Sequence, residues 1–166
     1  VLMNNGHIGL YYKENTSTGN TRFLFQELSA TGAKIGRALT IVEGAISPGI
    51  QALDNGTLLA TWFDVVTGQH RARILDAEGD SMGRGFGIST TGMAPYSYGD
   101  LVTLGDGFAF GWSDTVTGMF MAQLFDATGK AKSNPFLVTD TAGEFNGGVG
   151  GLFRVGDGFA GFVLGN

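Results

Sequence analysis

Residues 107–138 read GFAFGWSDTVTGMFMAQLFDATGKAKSNPFLV. Within them, Phe108–Ser113 places Phe108, Phe110 and Trp112 on one face of an extended strand. Ala109, Gly111 and Ser113 fall on the other, because side chains alternate along a strand. Neither face is charged. A sheet with one wet face alternates apolar with polar residues, so this strand is expected to be covered on both sides. A turn with Thr117-Gly118 follows, then a second strand over Met119–Phe125. A turn at Ala127-Thr128-Gly129 leads to a short strand over Phe136–Thr139.

The same order recurs along the chain. Asn5-Gly6, Asn55-Gly56, Asp106-Gly107 and Asp157-Gly158 fall 50, 51 and 51 residues apart. Asn-Gly and Asp-Gly tolerate positive φ and favour tight hairpins. The strands expected after them are His7–Tyr12, Leu58–Phe63, Phe108–Ser113 and Phe159–Leu164. Thr18-Gly19 and Thr67-Gly68 precede further strands at Arg22–Leu28 and Gln69–Leu75. Shorter strands are expected at Ala38–Val42 and Gly85–Ser89. Small-residue strands at Ile46–Leu53, Tyr98–Leu104 and Gly148–Val155 lead into the next copy. No stretch has helical periodicity. The pattern predicts one repeat domain over 1–166, with units 1–51, 52–102, 103–153 and a partial 154–166. The fold class expected is all-β, with consecutive four-stranded antiparallel sheets stacked face to face like propeller blades.

Composition agrees with an ordered domain: 43% of the 166 residues are hydrophobic and only 15% charged. The net charge of −5, with scattered Lys and Arg, argues against nucleic acid as a partner. No apolar stretch approaches the ~20 residues of a membrane-spanning helix, so no membrane insertion is expected. The absence of cysteine excludes disulfides and thiolate sites and leaves the compartment open.

The string at 107–138 resembles the fifty-residue β-propeller-type repeats of large bacterial secreted proteins. Such repeats occur near haemolysin-type calcium-binding repeats and in myxobacterial surface proteins. The resemblance rests on Trp62 and Trp112 at the end of one strand, Leu75-Asp76 and Phe125-Asp126 at the end of the next, and Gly79 and Gly129 after them. In the first copy Tyr12, Leu28 and Gly32 take those places, with Ser29 replacing the Asp. It implies propeller-like blades and a secreted or cell-surface setting, and carries over no catalytic residue.

A complete propeller takes about 4–8 blades, and this chain has three nearly full units and part of a fourth. Val1 opens inside an apolar segment with no initiator Met, the mark of a processed chain or a piece of a longer one. Two forms are therefore expected: a partial propeller, or a propeller closed by self-association. Blade faces left wet in an isolated arc favour the second.

Tyr12, Trp62 and Trp112 share one repeat position, and Asp64 and Asp114 lie in the turns that follow. Sugars stack on aromatic rings while turn acids bond their hydroxyls, which makes these five the candidate ligand-binding residues. Their place beside Leu58 and Phe108 favours a packing role for the aromatics. Tyr11, Tyr96 and Tyr98 lie off that position and are candidates for exposure.

Asp76-Ala77-Glu78-Gly79-Asp80 has the alternating carboxylates of a calcium loop but lacks its distant bidentate Glu. Turn chemistry explains it better, and calcium is the only cofactor the sequence suggests. His7 and His70 occupy non-equivalent strand positions and read as isolated. No set of metal ligands and no catalytic constellation is marked. The expected role is an extracellular, non-enzymatic binding, adhesion or structural module with a glycan or surface protein as ligand. A lectin-like carbohydrate-binding propeller is the alternative, and a fragment of a secreted glycan-processing enzyme the third reading.

Overall fold

A computed structural model of the chain describes residues 1–17, 19–88, 99–105, 107–114, 117, 119–138 and 150–163. The described residues form antiparallel sheets and no helix. They divide into two compact units, Val1–Gly87 and Ile88–Asn166.

The first unit holds two sheets. In sheet 1, β1 (Ile8–Asn15), β2 (Thr21–Leu28) and β3 (Lys34–Glu43) lie in chain order. Val1–Met3 adds a short fourth segment at the β1 edge. Leu2 bridges Ile8, and the Val1 and Gly9 main chains exchange bonds of 2.7 and 2.8 Å. Sheet 2 has four strands in order: β4 (Ile46–Ala52), β5 (Leu58–Asp64), β6 (Gln69–Leu75) and β7 (Phe86–Gly87). In the second unit, sheet 3 repeats this order with β8 (Asp100–Leu104), β9 (Gly107–Ser113), β10 (Phe120–Asp126) and β11 (Phe136–Leu137). Sheet 4 is the pair β12 (Gly150–Val155) and β13 (Gly158–Val163). Each small-residue strand at the end of a sequence unit thus pairs with the first strand of the next unit.

The expected inner strands were legible to within two or three residues; the outermost ones were not. β7 and β11 are two residues long, shorter than Gly85–Ser89 and Phe136–Thr139, of which Ser89 and Thr139 lie outside the described residues. Glycines surround β7 and Pro135 precedes β11, and both residue types weaken a strand. β3 runs ten residues instead of Ala38–Val42, with register shifts against β2 at Phe23/Leu24 and Phe25/Glu27. Such bulges, with Lys34 and Arg37, are common protections for an edge strand.

The hairpins at these dipeptides close in two ways. In the first two copies the hairpin closes through Met3 N–H to His7 O and Leu53 N–H to Thr57 O, at 2.9 and 2.8 Å. Gly6 and Gly56 hold φ of 79° and 90° at its corner. In the later copies Leu104 pairs directly with Gly107, and Val155 with Gly158. In the last of these the positive φ of 58° belongs to Gly156, ahead of Asp157, so the expectation of an Asp157-Gly158 corner is corrected by one residue; Asp106 lies outside the described residues. Gly107 and Gly158 instead open strands. A Cβ on Gly107 would run into the Phe125–Asp126 main chain.

Each sheet has a front face, carrying Leu58, Ala60 and Trp62 in sheet 2, and a rear face, carrying Leu59, Thr61 and Phe63. In the first unit the rear of sheet 1 packs on the front of sheet 2. Met3, Phe25 and Ile41 form one buried cluster with Leu58, Ala60, Trp62 and Leu75. In the second unit the rear of sheet 3 (Val102, Ala109, Phe120 and Ala122) forms a cluster with Leu152 from sheet 4. Gly111 makes room for it: a Cβ there would lie 2.9 Å from Leu152 Cδ1. Both faces of β5 and β9 are buried, as the uncharged alternation predicted. Each buried large side chain contributes roughly 1.5–3 kcal/mol, so the seams are the main source of stability.

Candidate functional site

Trp62 and Trp112 are 5% and 1% exposed, and Tyr12 is 37% exposed. The Trp62 ring lies in the seam between sheets 1 and 2, with the Arg73 guanidinium carbon 5.6 Å from its centroid. Trp112 packs beside Phe110, centroids 6.3 Å apart. Neither indole presents an open face on which a sugar could stack. Tyr12 and Tyr11 retain exposed surface; Tyr96 and Tyr98 lie outside the described residues.

Asp64 and Asp114 serve their own turns. Asp64 Oδ1 accepts from the Val66 and Thr67 amides at 2.9 and 3.2 Å, and Asp114 Oδ1 from the Thr117 amide at 3.2 Å. Burial opposes ionisation of Asp64. The Thr67 and Val66 hydrogen bonds and the Arg71 charge outweigh it, and the carboxyl titrates below its usual range.

The turn at Asp76–Asp80 recurs in three forms. Asp76 Oδ1 accepts from the Glu78 and Asp80 amides at 3.1 and 2.8 Å. Asp126 Oδ1 accepts from the Thr128 amide, the Thr128 hydroxyl and the Lys130 amide at 2.9, 2.6 and 3.0 Å. Ser29 Oγ accepts from the Ala33 amide at 3.1 Å. Gly32, Gly79 and Gly129 take the same corner at φ of 85°, 88° and 86°. The side-chain oxygen closes the turn, and a serine does it without a charge. Among the described residues no group of three His, Cys, Asp or Glu is placed to hold a metal ion.

His7 differs from expectation, and His70 lies on β6 as expected. His7 precedes β1 rather than lying in it, and its Nδ1 is 2.6 Å from Glu27 Oε1, which also accepts from Asn5 Nδ2 at 3.3 Å. That set satisfies a nearly buried carboxylate. His70 is 3% exposed, edge-on to Phe63 at 5.2 Å, and burial lowers its pKa to about 4.

One feature the sequence did not mark is an open cleft of about 390 Å³ at the strand ends of the first unit. Lys13, Asn20, Thr21, Phe23, Ile46 and Ser47 line it. A longer hairpin than in the second copy and a local bulge build it. Seven residues (15–21) separate Glu14 from its partner Arg22, against four (65–68) between Asp64 and its partner Gln69, so this hairpin is three residues longer, with one more pair, Asn15 with Thr21. Across the cleft, Ser47 holds a φ of 49° in the bulge between Ile46 and Gly49. Both walls are braced: the Thr16 amide donates to Asn20 O at 2.7 Å, and the Gly44 amide to Thr21 O at 2.7 Å. The cleft therefore offers an ammonium, an amide and two hydroxyls around Phe23 and Ile46, a mixture suited to a small polar ligand.

The described residues define an all-β chain with an open cleft at the strand ends of its first unit. Comparison with models of known families, with curated proteins and with solved structures returned no match.

Proposed function

We propose that the chain is a non-enzymatic binding module of propeller-like blades in an extracellular or cell-surface setting, acting in adhesion or surface structure. The observation that carries the reading is the braced cleft at Lys13, Asn20, Thr21 and Ser47, formed where the first copy departs from the repeat. Elsewhere Asp64, Asp76, Asp114 and Asp126 are engaged by their own turns. The propeller arrangement is supported by the repeated order of strands and by seams that run rear to front in each unit. The secreted setting rests on the resemblance of the repeats.

A carbohydrate is the ligand class favoured second, on a specific ground. Phe23 supplies an apolar surface, while Asn20, Thr21 and Ser47 supply neutral hydrogen-bonding groups and Lys13 a charge for an acidic sugar. Titration of ¹⁵N-labelled chain with a panel of neutral and acidic oligosaccharides tests both. Shifts at Lys13, Asn20, Thr21 and Ser47 that vanish in Asn20→Ala are expected for a glycan. No response to any sugar overturns the carbohydrate reading. Turnover of the sugars overturns the non-enzymatic one.

A further inference from the structure

We infer that the front face of sheet 1 is a docking surface for the rear face of sheet 4 of a second copy of this chain. The repeat places Ile8, Leu10 and Tyr12 where sheet 2 has Leu58, Ala60 and Trp62 and sheet 3 has Phe108, Phe110 and Trp112. The residues of sheets 2 and 3 are between 0% and 5% exposed; Ile8, Leu10 and Tyr12 are 36%, 45% and 37% exposed. Leu2, bridged to Ile8 on the same face, is 72% exposed. A stripe with the chemistry of a seam thus lies open on sheet 1. On β1 and β2 its charge is confined to the Glu14–Arg22 pair at one end.

The complementary surface is on β12 and β13. Their rear face carries Phe153, Val155 and Phe162, exposed by 47%, 55% and 45%, and no charged side chain. The Phe153 and Phe162 rings lie 6.3 Å apart and form one apolar patch. The seam inside each unit joins a rear face to a front face: Phe25 to Leu58, Ala60 and Trp62 in one, Ala109 and Phe120 to Leu152 in the other. The two open apolar faces are one front and one rear. The occupant that continues this series is therefore another copy, joined head to tail. Such a contact is heterologous, so it closes a ring where the rotation allows and extends a chain where it does not.

The test is the mass of the particle in solution. Sedimentation velocity of the 17.4 kDa chain is expected to show a concentration-dependent rise above one chain. Leu10→Glu and Val155→Glu each spoil one face, and each alone is expected to run as a single chain with unchanged far-UV circular dichroism. Mixed in equal amounts, they retain one good face apiece and are expected to form a complex of two chains and nothing larger. Tyr12→Ser and Phe162→Ser form a second pair should either charged variant fail to fold. A wild-type chain that stays single at the highest concentration overturns the proposal. So does a mixture that fails to pair, or a Val155→Glu variant that associates like the wild type.

Discussion

Arg73 on β6 donates from Nη1 to the carbonyl oxygen of Ile41 on β3, 3.2 Å away, and so fastens sheet 2 to sheet 1. The same guanidinium lies over the Trp62 ring. An amide acceptor and an aromatic face are thus shared by one side chain beside the apolar cluster of the seam. Arg73→Ala removes both and is expected to destabilise the chain by about 1–3 kcal/mol. Arg73→Lys keeps the charge but loses the planar fork and should recover only part of that. Urea unfolding of the two variants measures the difference. Equal stability of Arg73→Ala and wild type contradicts the tie.

His70 makes stability depend on pH in a window of its own. Its pKa is about 4 in the folded chain and ordinarily 6.5. Between those values the unfolded chain takes up a proton that the folded chain refuses. Stability is therefore full above pH 6.5 and falls as the pH drops toward 4, by up to about 3 kcal/mol. Asp64, held below its usual range, acts lower still, as the pH falls from 3.8. His70→Phe is expected to flatten the slope between pH 6.5 and 4.5. An unchanged slope in that variant would place its origin elsewhere.

Gly79 and Gly32 occupy equivalent corners at φ of 88° and 85°, but only Gly79 is also crowded. A Cβ there would strike the Phe25 ring and lie 3.3 Å from Leu39 Cδ1, whereas nothing lies within 4 Å at Gly32. Gly32→Ala should cost about 1–2 kcal/mol, the left-handed backbone penalty. Gly79→Ala should cost that and the repacking of Phe25, typically about 1–3 kcal/mol more. Thermal melts of the two variants compare them directly. Equal losses would mean that the turn at Gly79 does not press against sheet 1.

The Asp126 carboxylate is engaged by its own turn, with the Thr128 hydroxyl as the chief cause of its lowered pKa, followed by the Lys130 amide. Melting temperature is accordingly expected to be the same in calcium and in a chelator. Asp126→Ser, which copies the Ser29 turn, is expected to be better tolerated than Asp126→Ala. A calcium-dependent rise in melting temperature lost in Asp76→Ser would restore the metal reading.

The strands at Leu58–Phe63 and Phe108–Ser113 could be read from the chain because each is buried on both faces and carries the same pattern. Repetition turned a weak local signal into a firm one. The outer strands were misjudged because β3, β7 and β11 are edges, where bulges, glycines and Pro135 decide length more than side-chain alternation does. The cleft was invisible for the opposite reason. It arises from three extra residues in the hairpin after Glu14 and from the positive φ of Ser47. Both look like imperfections when copies are aligned, and a serine is not the residue that normally announces a left-handed turn.

The seams themselves are open to a direct optical measurement, because the chain contains two tryptophans and the structure buries both. Iodide quenching of tryptophan fluorescence compares the folded chain with the chain in urea. Face-to-face sheets predict blue-shifted native emission and a quenching constant well below that of the unfolded chain. Quenching as efficient in the folded chain as in urea would put the indoles in water and contradict the packing of sheet on sheet.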